Sequence, residues 1–591
     1  MLTYKNVLRT GILALASAFV LSGTSVFATS AYNNVGNFDA GVIDHTNLMQ
    51  IKEYERKSRE SRIDDERGSE QIENERKLRD EIDRLPNREV SFVLNSITFR
   101  NNTVFSEEEL MELICDKIGR EVTISDLIRY ANSVTDFYQQ AGYLSTIAYL
   151  PPQRVQDGNV EIIIMEGKYG NIEITGNKWA RERYVKGQFV DDKNIKTDTV
   201  LNIKEIQESL REINASGYMK GSVTLEDNEE SAQYTDITME IKDRFPLALD
   251  LRFDNQGRTG VGLNRFTIFA GTYNLTGFGD RLISTTTIAN GSIGQGIFYS
   301  APIAKNETKF NVGYSYSGVN VDGSALIDNM RLNGKSHNFF TGFSRRLIKT
   351  ENYKLYGDVS FDARNATTDW DLNGYKGRLS EYRTRAIRAN LSNIKDDFYG
   401  KWFANIGTSV GVPFFNPSTE FDDYGFEYPS NNFVKLNTNL ARLQLLPWRS
   451  MAIAQVNGQW ANHRLHGAEQ FQAGGIATVR GYQEGFFLAD QGLTASVELR
   501  TPVPFLSRIL PEKLQFIDDS IRLAAFTDYG LVANAMAPGT DPEYLLSVGG
   551  GLILKMTKYM SGNVYVGIPI GDKPEGASKC RVHFTITSNI L

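Results

Sequence analysis

Histidine, cysteine, proline and long apolar runs are all scarce in this chain of 591 residues. Its five histidines are scattered. The pair His463-x-x-His466 lies in a polar stretch with no carboxylate or cysteine read beside it to complete a metal site, so no metal is expected. Two cysteines, Cys115 and Cys580, stand at opposite ends of the chain with neither metal nor redox spacing. They give no disulfide framework, and Cys115, inside Leu113-Ile114-Cys115, reads as a small core residue. A formal net charge of -7 supplies no electrostatic reason to expect nucleic acid. No G-x-x-x-x-G-K-[ST] loop is present, and neither a nucleophile elbow nor a cofactor loop, so neither an enzyme nor a cofactor is expected. After the first 28 residues no segment offers the roughly 20 uninterrupted apolar residues of a transmembrane helix. A membrane-inserted form would therefore have to be a closed barrel.

What is present fits that form. Gly (51), Phe (33) and Tyr (27) are abundant against 16 prolines, a balance that suits long strands, tight turns and interfacial aromatic rings. Residues 1–28 read as a secretory signal: Lys5 and Arg9 precede the short apolar run Gly11–Leu21, and Val26-Phe27-Ala28 supplies small residues for cleavage. The stretch from Asp44 to Arg84 interleaves acids and bases, with opposite charges four apart at Glu53/Lys57 and Glu75/Arg79, but carries no apolar stripe. It reads either as a solvated helix in a water-filled space or as a linker.

Residues 89–243 contain a repeat of period about 75, in which Ala141-Gly142-Tyr143-Leu144 recurs as Ser216-Gly217-Tyr218-Met219. Each copy reads strand, helix, helix, strand, strand. In the first, Val93–Arg100 forms a strand, Ser106-x-x-Glu109 a capping box, and Ser125–Ala141 a helix with Ile128, Val134, Phe137 and Tyr138 on its apolar face and Gly142 as its stop. Leu144–Leu150 and Val160–Met165 make a hairpin through Gln156-Asp157-Gly158-Asn159. The second copy places strands at Gly170–Thr175, Lys220–Leu225 and Thr235–Ile241 around a helix at Ile203–Ile213. A small sheet with an open edge can accept an extended chain by strand addition, although a pair of plain spacer domains has the same pattern.

From Phe245 onward the apolar period drops to two. Phe310, Val312, Tyr314 and Tyr316 alternate with polar residues, as do Val564, Val566 and Ile568, and Val582, Phe584 and Ile586. At roughly 20–22 residues per strand and connection, residues 245–591 make about 16 antiparallel strands of a transmembrane β-barrel. On the strand Ile521–Gly530, Leu523 and Ala525 face one way, while Arg522, Ala524, Phe526 and Asp528 face the other, the lumen. A lumen carboxylate needs a partner, and Arg480, beside the permissive Gly481, supplies a planar fork that is always charged. Glu498 and Arg500 share one face of a neighbouring strand, as further lumen charges. An ionisable pair inside a membrane-spanning structure reads as functional.

Val479-Arg480-Gly481-Tyr482 and Phe526-x-Asp528-x-Gly530 together resemble the pore-loop and strand motifs of the TpsB family, the transporters of two-partner secretion that export filamentous haemagglutinins and haemolysins. Leu150-Pro151-Pro152-Gln153 through Asp157-Gly158 to Glu166-Gly167 resembles the end of that family's first POTRA domain. Asn274-Leu275-Thr276-Gly277-Phe278-Gly279-Asp280 and Tyr299-Ser300-x-Pro302 resemble its early barrel motifs. The resemblance implies an N-terminal segment, 29–57, with a plug helix at about Asp44–Lys57, a linker at 58–88, POTRA domains at 89–167 and 168–243, and a barrel at 244–591. It further implies that Arg480 meets Asp528 inside the barrel. The implied function is an outer-membrane pore that takes an unfolded secreted partner, an adhesin or haemolysin of the TpsA type, from periplasmic POTRA domains to the cell surface without nucleotide hydrolysis. Outer-membrane lipid, periplasmic chaperones and the barrel-assembly machinery are the other implied partners. A barrel-assembly factor of the same superfamily is the alternative, though such factors carry more POTRA domains and lack a plug. A passive porin would leave residues 44–243 unexplained.

Overall fold

The computed structural model describes residues 91–590, apart from 188, 190–194, 215–217, 229–230, 259, 305–306, 324–329, 351, 419–430, 504–519, 536–541, 558, 572–573 and 575. The expected signal, plug helix and linker lie outside the described residues. Among the described residues the chain divides into two units, one ending at Phe245 and one beginning at Pro246.

The first unit holds two three-stranded sheets of the same design. In the first, Asn159–Met165 runs in the middle, parallel to Ser96–Arg100 and antiparallel to Ile147–Tyr149. In the second, Tyr234–Asp243 is central, parallel to Lys168–Thr175 and antiparallel to Met219–Asp227. The Ser106/Glu109 capping box opens a helix at Glu107–Glu112, and a second box, Thr123/Asp126, opens the longer helix Ile124–Ala141. That helix closes on Gly142 in the left-handed conformation (φ 108°). Its buried face carries Leu127, Ala131, Val134 and Tyr138. Ile128 and Phe137, expected there, are only partly buried, because they flank the stripe that runs through Leu127, Ala131, Val134 and Tyr138. Asp157 and Gly158 both take positive φ (53° and 68°), the two-residue turn expected of that pair.

The hairpin strand expected at Leu144–Leu150 shrinks to Ile147–Tyr149, since Thr146 N–H donates to the Tyr143 carbonyl and spends the preceding residues in a turn. A short pairing of Phe92–Val93 with Glu121–Val122 adds to the expected elements. Cys115 begins a single turn, Cys115–Lys117, and its side chain lies outside what is described.

The two sheets are joined end to end. Ile203 N–H, at the start of the helix Ile203–Asn214, donates to the Gly142 carbonyl (2.9 Å), and Lys204 Nζ donates to the Gln140 carbonyl (2.9 Å). The carbonyl that caps one helix thus satisfies the first free N–H of the next. At the junction Glu166 is buried. Its carboxylate accepts from the backbone N–H of Thr103 (2.7 Å) and Val104 (3.2 Å) and from Tyr138 Oη (3.0 Å). Burial, and then the Glu166 charge, hold the Tyr138 phenol above its ordinary range, so it remains a donor.

The second unit is a closed antiparallel barrel of 16 strands. In chain order these are β1 (Leu247–Asp254), β2 (Arg265–Thr272), β3 (Arg281–Ala289), β4 (Ser292–Ala304), β5 (Thr308–Gly323), β6 (Met330–Lys349), β7 (Tyr353–Leu372), β8 (Tyr375–Asp397), β9 (Gly400–Gly411), β10 (Val434–Leu445), β11 (Met451–Ala461), β12 (Gln491–Pro502), β13 (Ile521–Ala533), β14 (Glu543–Thr557), β15 (Met560–Pro569) and β16 (Arg581–Asn589). β16 pairs with β1 over Thr585–Asn589. The Asn255 side chain prolongs this seam, its amide donating to the Val582 carbonyl (2.8 Å) and its Oδ1 accepting from Phe584 N–H (2.9 Å).

Burial is inverted relative to a water-soluble sheet. On β13 Leu523, Tyr529 and Leu531 face outward while Ala524, Phe526 and Asp528 are buried; on β5 Tyr314 is exposed and Ser315 and Ser317 are sealed. Apolar outside and polar inside is the pattern of a barrel solvated by lipid. Among the described residues no helix is long and apolar enough to cross a membrane.

A loop clamped inside the barrel

The connection from β11 to β12, residues 462–490, folds back against the inner wall instead of extending from the rim. A short hairpin, Phe471–Ala473 paired with Phe487–Ala489, forms its stem. Phe471, Ala473, Val479, Tyr482, Phe487 and Leu488 then pack with Val532 of β13 and Leu545 of β14. A loop with its own apolar core is placed as a body, so its polar residues arrive at the wall in fixed positions.

Arg480 is the residue so placed. Its backbone N–H and its Nε both donate to Asp528 Oδ2, at 2.9 and 2.8 Å, and Nη2 donates to Oδ1 at 2.8 Å. Its Nη1 donates to Glu498, and Nη2 also reaches Ser496 Oγ (3.0 Å), whose hydroxyl donates to Asp528 Oδ1 (2.6 Å). The guanidinium plane lies 3.5 Å from the Phe526 ring centroid. Such a site answers the planar fork and the cationic face of arginine, and lysine could not fill it.

Glu498 is shared: it also accepts from Arg500 and from Tyr565 Oη (3.0 Å). All of these groups are nearly sealed, with Asp528 1 % and Arg480 5 % exposed. The sequence pairs Arg480 with Asp528 alone and leaves Glu498 and Arg500 as separate lumen charges. The structure brings all four into one network, because Ser496, Glu498 and Arg500 lie on the inward face of β12, directly beside β13.

The glycines of the two motifs have steric reasons. Gly481 takes φ 97°, and its N–H points to His583 Nε2 (3.4 Å). A Cβ on Gly530 would sit 3.0 Å from Val479 Cγ2. Gly567 of β15, not singled out in the sequence, is the tightest: a Cβ there would lie 2.3 Å from Gly481 N. Tyr482 Oη donates to the Leu546 carbonyl (3.2 Å), completing the contact of the tetrapeptide with β14.

A second contact has no motif to announce it. Glu469 is three residues beyond His466, in the stretch read as lacking a carboxylate. It is fully buried and accepts from Arg388 of β8 (2.6 and 3.1 Å), while Lys435 Nζ of β10 stands 2.6 Å from Oε2. His466 lies flat on Tyr382, with ring centroids 4.7 Å apart. Among the described residues no group of three or more His, Cys, Asp or Glu could hold a metal.

The Asn274–Asp280 turn is held by its own polar residues: Asp280 Oδ1 accepts from the N–H and Oγ1 of Thr276 (2.9 and 2.8 Å), and Asn274 Oδ1 accepts from Gly279 N–H (2.7 Å).

Comparison with known proteins is concordant over most of the length. Residues 233–554 match the family model of the haemolysin secretion/activation proteins ShlB/FhaC/HecB, and residues 92–167 match the ShlB-type POTRA domain. The heme/hemopexin transporter protein HuxB of Haemophilus influenzae strain 86-028NP is 26% identical over 505 residues, covering 83% of this chain and 86% of that protein. The outer membrane transporter CdiB of Escherichia coli O6:K15:H31 is 23% identical over 419 residues, covering 68% and 67%. Among solved structures, CdiB from Escherichia coli superposes with a TM-score of 0.68 at 18% identity, covering 95% of this chain and 100% of that one. BamA from Haemophilus ducreyi, lacking POTRA domains 1-3, gives 0.52 at 15% identity, covering 85% and 100%.

Proposed function

Since this chain belongs to the haemolysin secretion/activation family of ShlB, FhaC and HecB, outer-membrane transporters with periplasmic POTRA domains that work with secreted partner proteins, we propose that it carries one unfolded exoprotein of the TpsA type, an adhesin or haemolysin, to the cell surface. The partner is captured in extended form at the sheet edges of residues 89–167 and 168–243, which act as two POTRA domains. It is then threaded past the loop 462–490. The barrel occupies 244–591, with 29–57 as its plug segment and 58–88 as the linker.

In this reading Val479, Arg480, Gly481 and Tyr482 form the pore-loop tip, and Phe526, Asp528 and Gly530 form its seat on the wall. Glu498 and Arg500 complete the charge balance of that seat. Desolvating these ions is costly, and the cost is offset only while every donor and acceptor stays paired. The loop therefore has one sharply defined docked position, and displacing it to let cargo pass means breaking a small set of strong contacts together.

The observation that carries the proposal is the seating of Arg480 on Asp528 and Glu498 inside a closed barrel. The chain has no nucleotide-binding loop in its sequence, so directional movement is assigned to folding of the cargo outside the cell. Removing residues 89–243 is expected to abolish surface appearance of the partner while the barrel still inserts, read by its heat-modifiable mobility. Arg480→Ala is expected to lower secretion by more than a lumen charge elsewhere, such as Arg252→Ala. Unchanged export in the first variant would refute capture by the POTRA domains, and equal effects of the two substitutions would refute the special role of Arg480. An assembly factor would instead lose insertion of other outer-membrane proteins in both variants.

A further inference from the structure

The loop is fastened at two places, and only the tip belongs to the motif-bearing site. Its first segment, on leaving β11, lies across the inner faces of β7, β8 and β10. Leu465 packs with Ala386 and Phe433, and Ala468 packs with Ala366 and Tyr382. The segment ends at Glu469, whose carboxylate bridges Arg388 and Lys435 and whose carbonyl accepts from Lys435 Nζ (2.9 Å) and Gln459 Nε2 (3.2 Å). Arg364 Nη1 donates to the Ala468 carbonyl (3.2 Å) one residue earlier. Arg388 is steadied in turn by Asp362 (3.3 Å) and Ser409 (3.1 Å).

Lys435 and Glu469 are both 0 % exposed. A lysine sealed this completely keeps its charge only beside a carboxylate. The wall supplies three cations, Arg364, Arg388 and Lys435, against the single carboxylate of Asp362. That side of the lumen therefore carries an excess of positive charge, which Glu469 of the loop reduces.

We infer that Glu469 is a second positioning residue of the exporter: its carboxylate, bridging Arg388 and Lys435, anchors the base of the pore loop to β8 and β10, so that Arg480 at the tip meets Asp528 in fixed register. The base anchor is the fixed end of the loop and the Arg480 seat its other end. The hairpin Phe471–Ala473/Phe487–Ala489 is the arm between them. Without the base anchor, the same apolar arm docks in several positions, and the tip network forms only part of the time. This positioning role rests on the export function proposed above, but its first test needs no cargo.

In the purified full chain, Cys115 and Cys580 are replaced by Ser, and Leu488, buried in the arm (2 % exposed), is replaced by Cys. Labelling of that thiol by a bulky maleimide reports loosening of the loop. Glu469→Gln is expected to speed labelling by about tenfold, the factor that corresponds to roughly 1.4 kcal/mol of lost anchoring. Lys435→Gln, which leaves the loop sequence untouched, is expected to do the same. If Glu469→Gln does not insert as a barrel by heat-modifiable mobility, the Lys435→Gln comparison decides. Labelling within about twofold of the parent in every inserted variant overturns the inference, since openings that differ by so little are nearly isoenergetic.

Secretion is then scored in cells at equal barrel abundance. Loosening with reduced export supports a positioning role. Loosening with undiminished export overturns it while leaving the transporter reading intact. If the parent itself exports nothing, the transporter reading fails instead, and the labelling result still stands on its own.

Discussion

A guanidinium enclosed by protein has little tolerance for a missing partner, and Arg480 shows where that intolerance is placed. Of its contacts, the paired bonds from Nε and Nη2 to Asp528 fix the plane of the fork, and Glu498 takes the remaining Nη1. Asp528→Asn keeps the shape but removes a charge, leaving Arg480 to share Glu498 with Arg500. Breaking a buried pair in this way costs about 3–5 kcal/mol, more than enough to unseat a loop tip. Secretion of the partner is expected to fall at least about tenfold, with barrel abundance and heat-modifiable mobility unchanged. Gly567→Ala tests the same seat without touching charge. Its Cβ would stand 2.3 Å from Gly481 N, so the tip must lift, and a comparable secretion loss is expected; wild-type export by this variant would mean that the seat is not needed closed.

The two tip motifs are legible in the sequence because each is local: an arginine next to a glycine, and an aspartate on an alternating strand. Glu469 is not, because its partners Arg388 and Lys435 are 81 and 34 positions away and carry no pattern of their own. Only the register of β8 against β9 and β10 brings them together.

At the scale of elements, alternation reads the barrel well, since a period of two with apolar residues outward leaves little choice of architecture. What it does not give is strand length. β6, β7 and β8 run to 20, 20 and 23 residues, against the roughly 9–11 that a tilted strand needs to cross the bilayer. Alternation continues past the membrane wherever neighbours keep pairing, so nothing in the pattern marks where lipid ends. The helix boundaries of the first unit are legible through caps, whereas the strand at Ile147–Tyr149 is overestimated because apolar residues in a turn look like strand.

For function the long edge Met219–Asp227 matters more. It is the outer strand of its sheet with a neighbour on one side only, and Leu225 on it is 40% exposed. In the proposed reading an extended cargo segment adds there by backbone hydrogen bonds that ask little of its sequence. A photo-activated side chain at Leu225 is expected to capture the secreted partner in cells at least about fivefold better than one at Arg129, on the exposed face of a helix with no free strand edge. Equal capture at the two positions would assign recognition to some other surface.

For the molecule as a whole, the question is what drives a polypeptide outward through a barrel whose lumen already holds a loop. The sequence offers no nucleotide-binding loop, and the outer membrane gives a periplasmic domain no access to cytoplasmic ATP. In the proposed reading the source is the cargo: an unfolded chain that folds after emerging cannot slide back, and each folded portion lowers the free energy of the next step. The barrel then needs only to lower the barrier, by docking the extended chain at a sheet edge and by a loop whose displaced and seated positions are both accessible. In that reading the charge clusters at Arg480 and Glu469 set the gap between those positions. Strengthening either would stall the pore, and removing either would leave it without a defined closed form.

A reconstituted system puts this driving force to a direct test. The full chain in liposomes, supplied with unfolded partner on the POTRA side and no nucleotide, is expected to make the partner protease-accessible on the other side. A partner variant unable to complete its fold is expected to cross at least about tenfold more slowly, because a ratchet that loses a step free energy of a few kcal/mol loses its rate accordingly. Equal rates for the foldable and unfoldable partner would place the driving force elsewhere. A requirement for added nucleotide would do so as well, and the barrel would then be a conduit for an engine outside this chain.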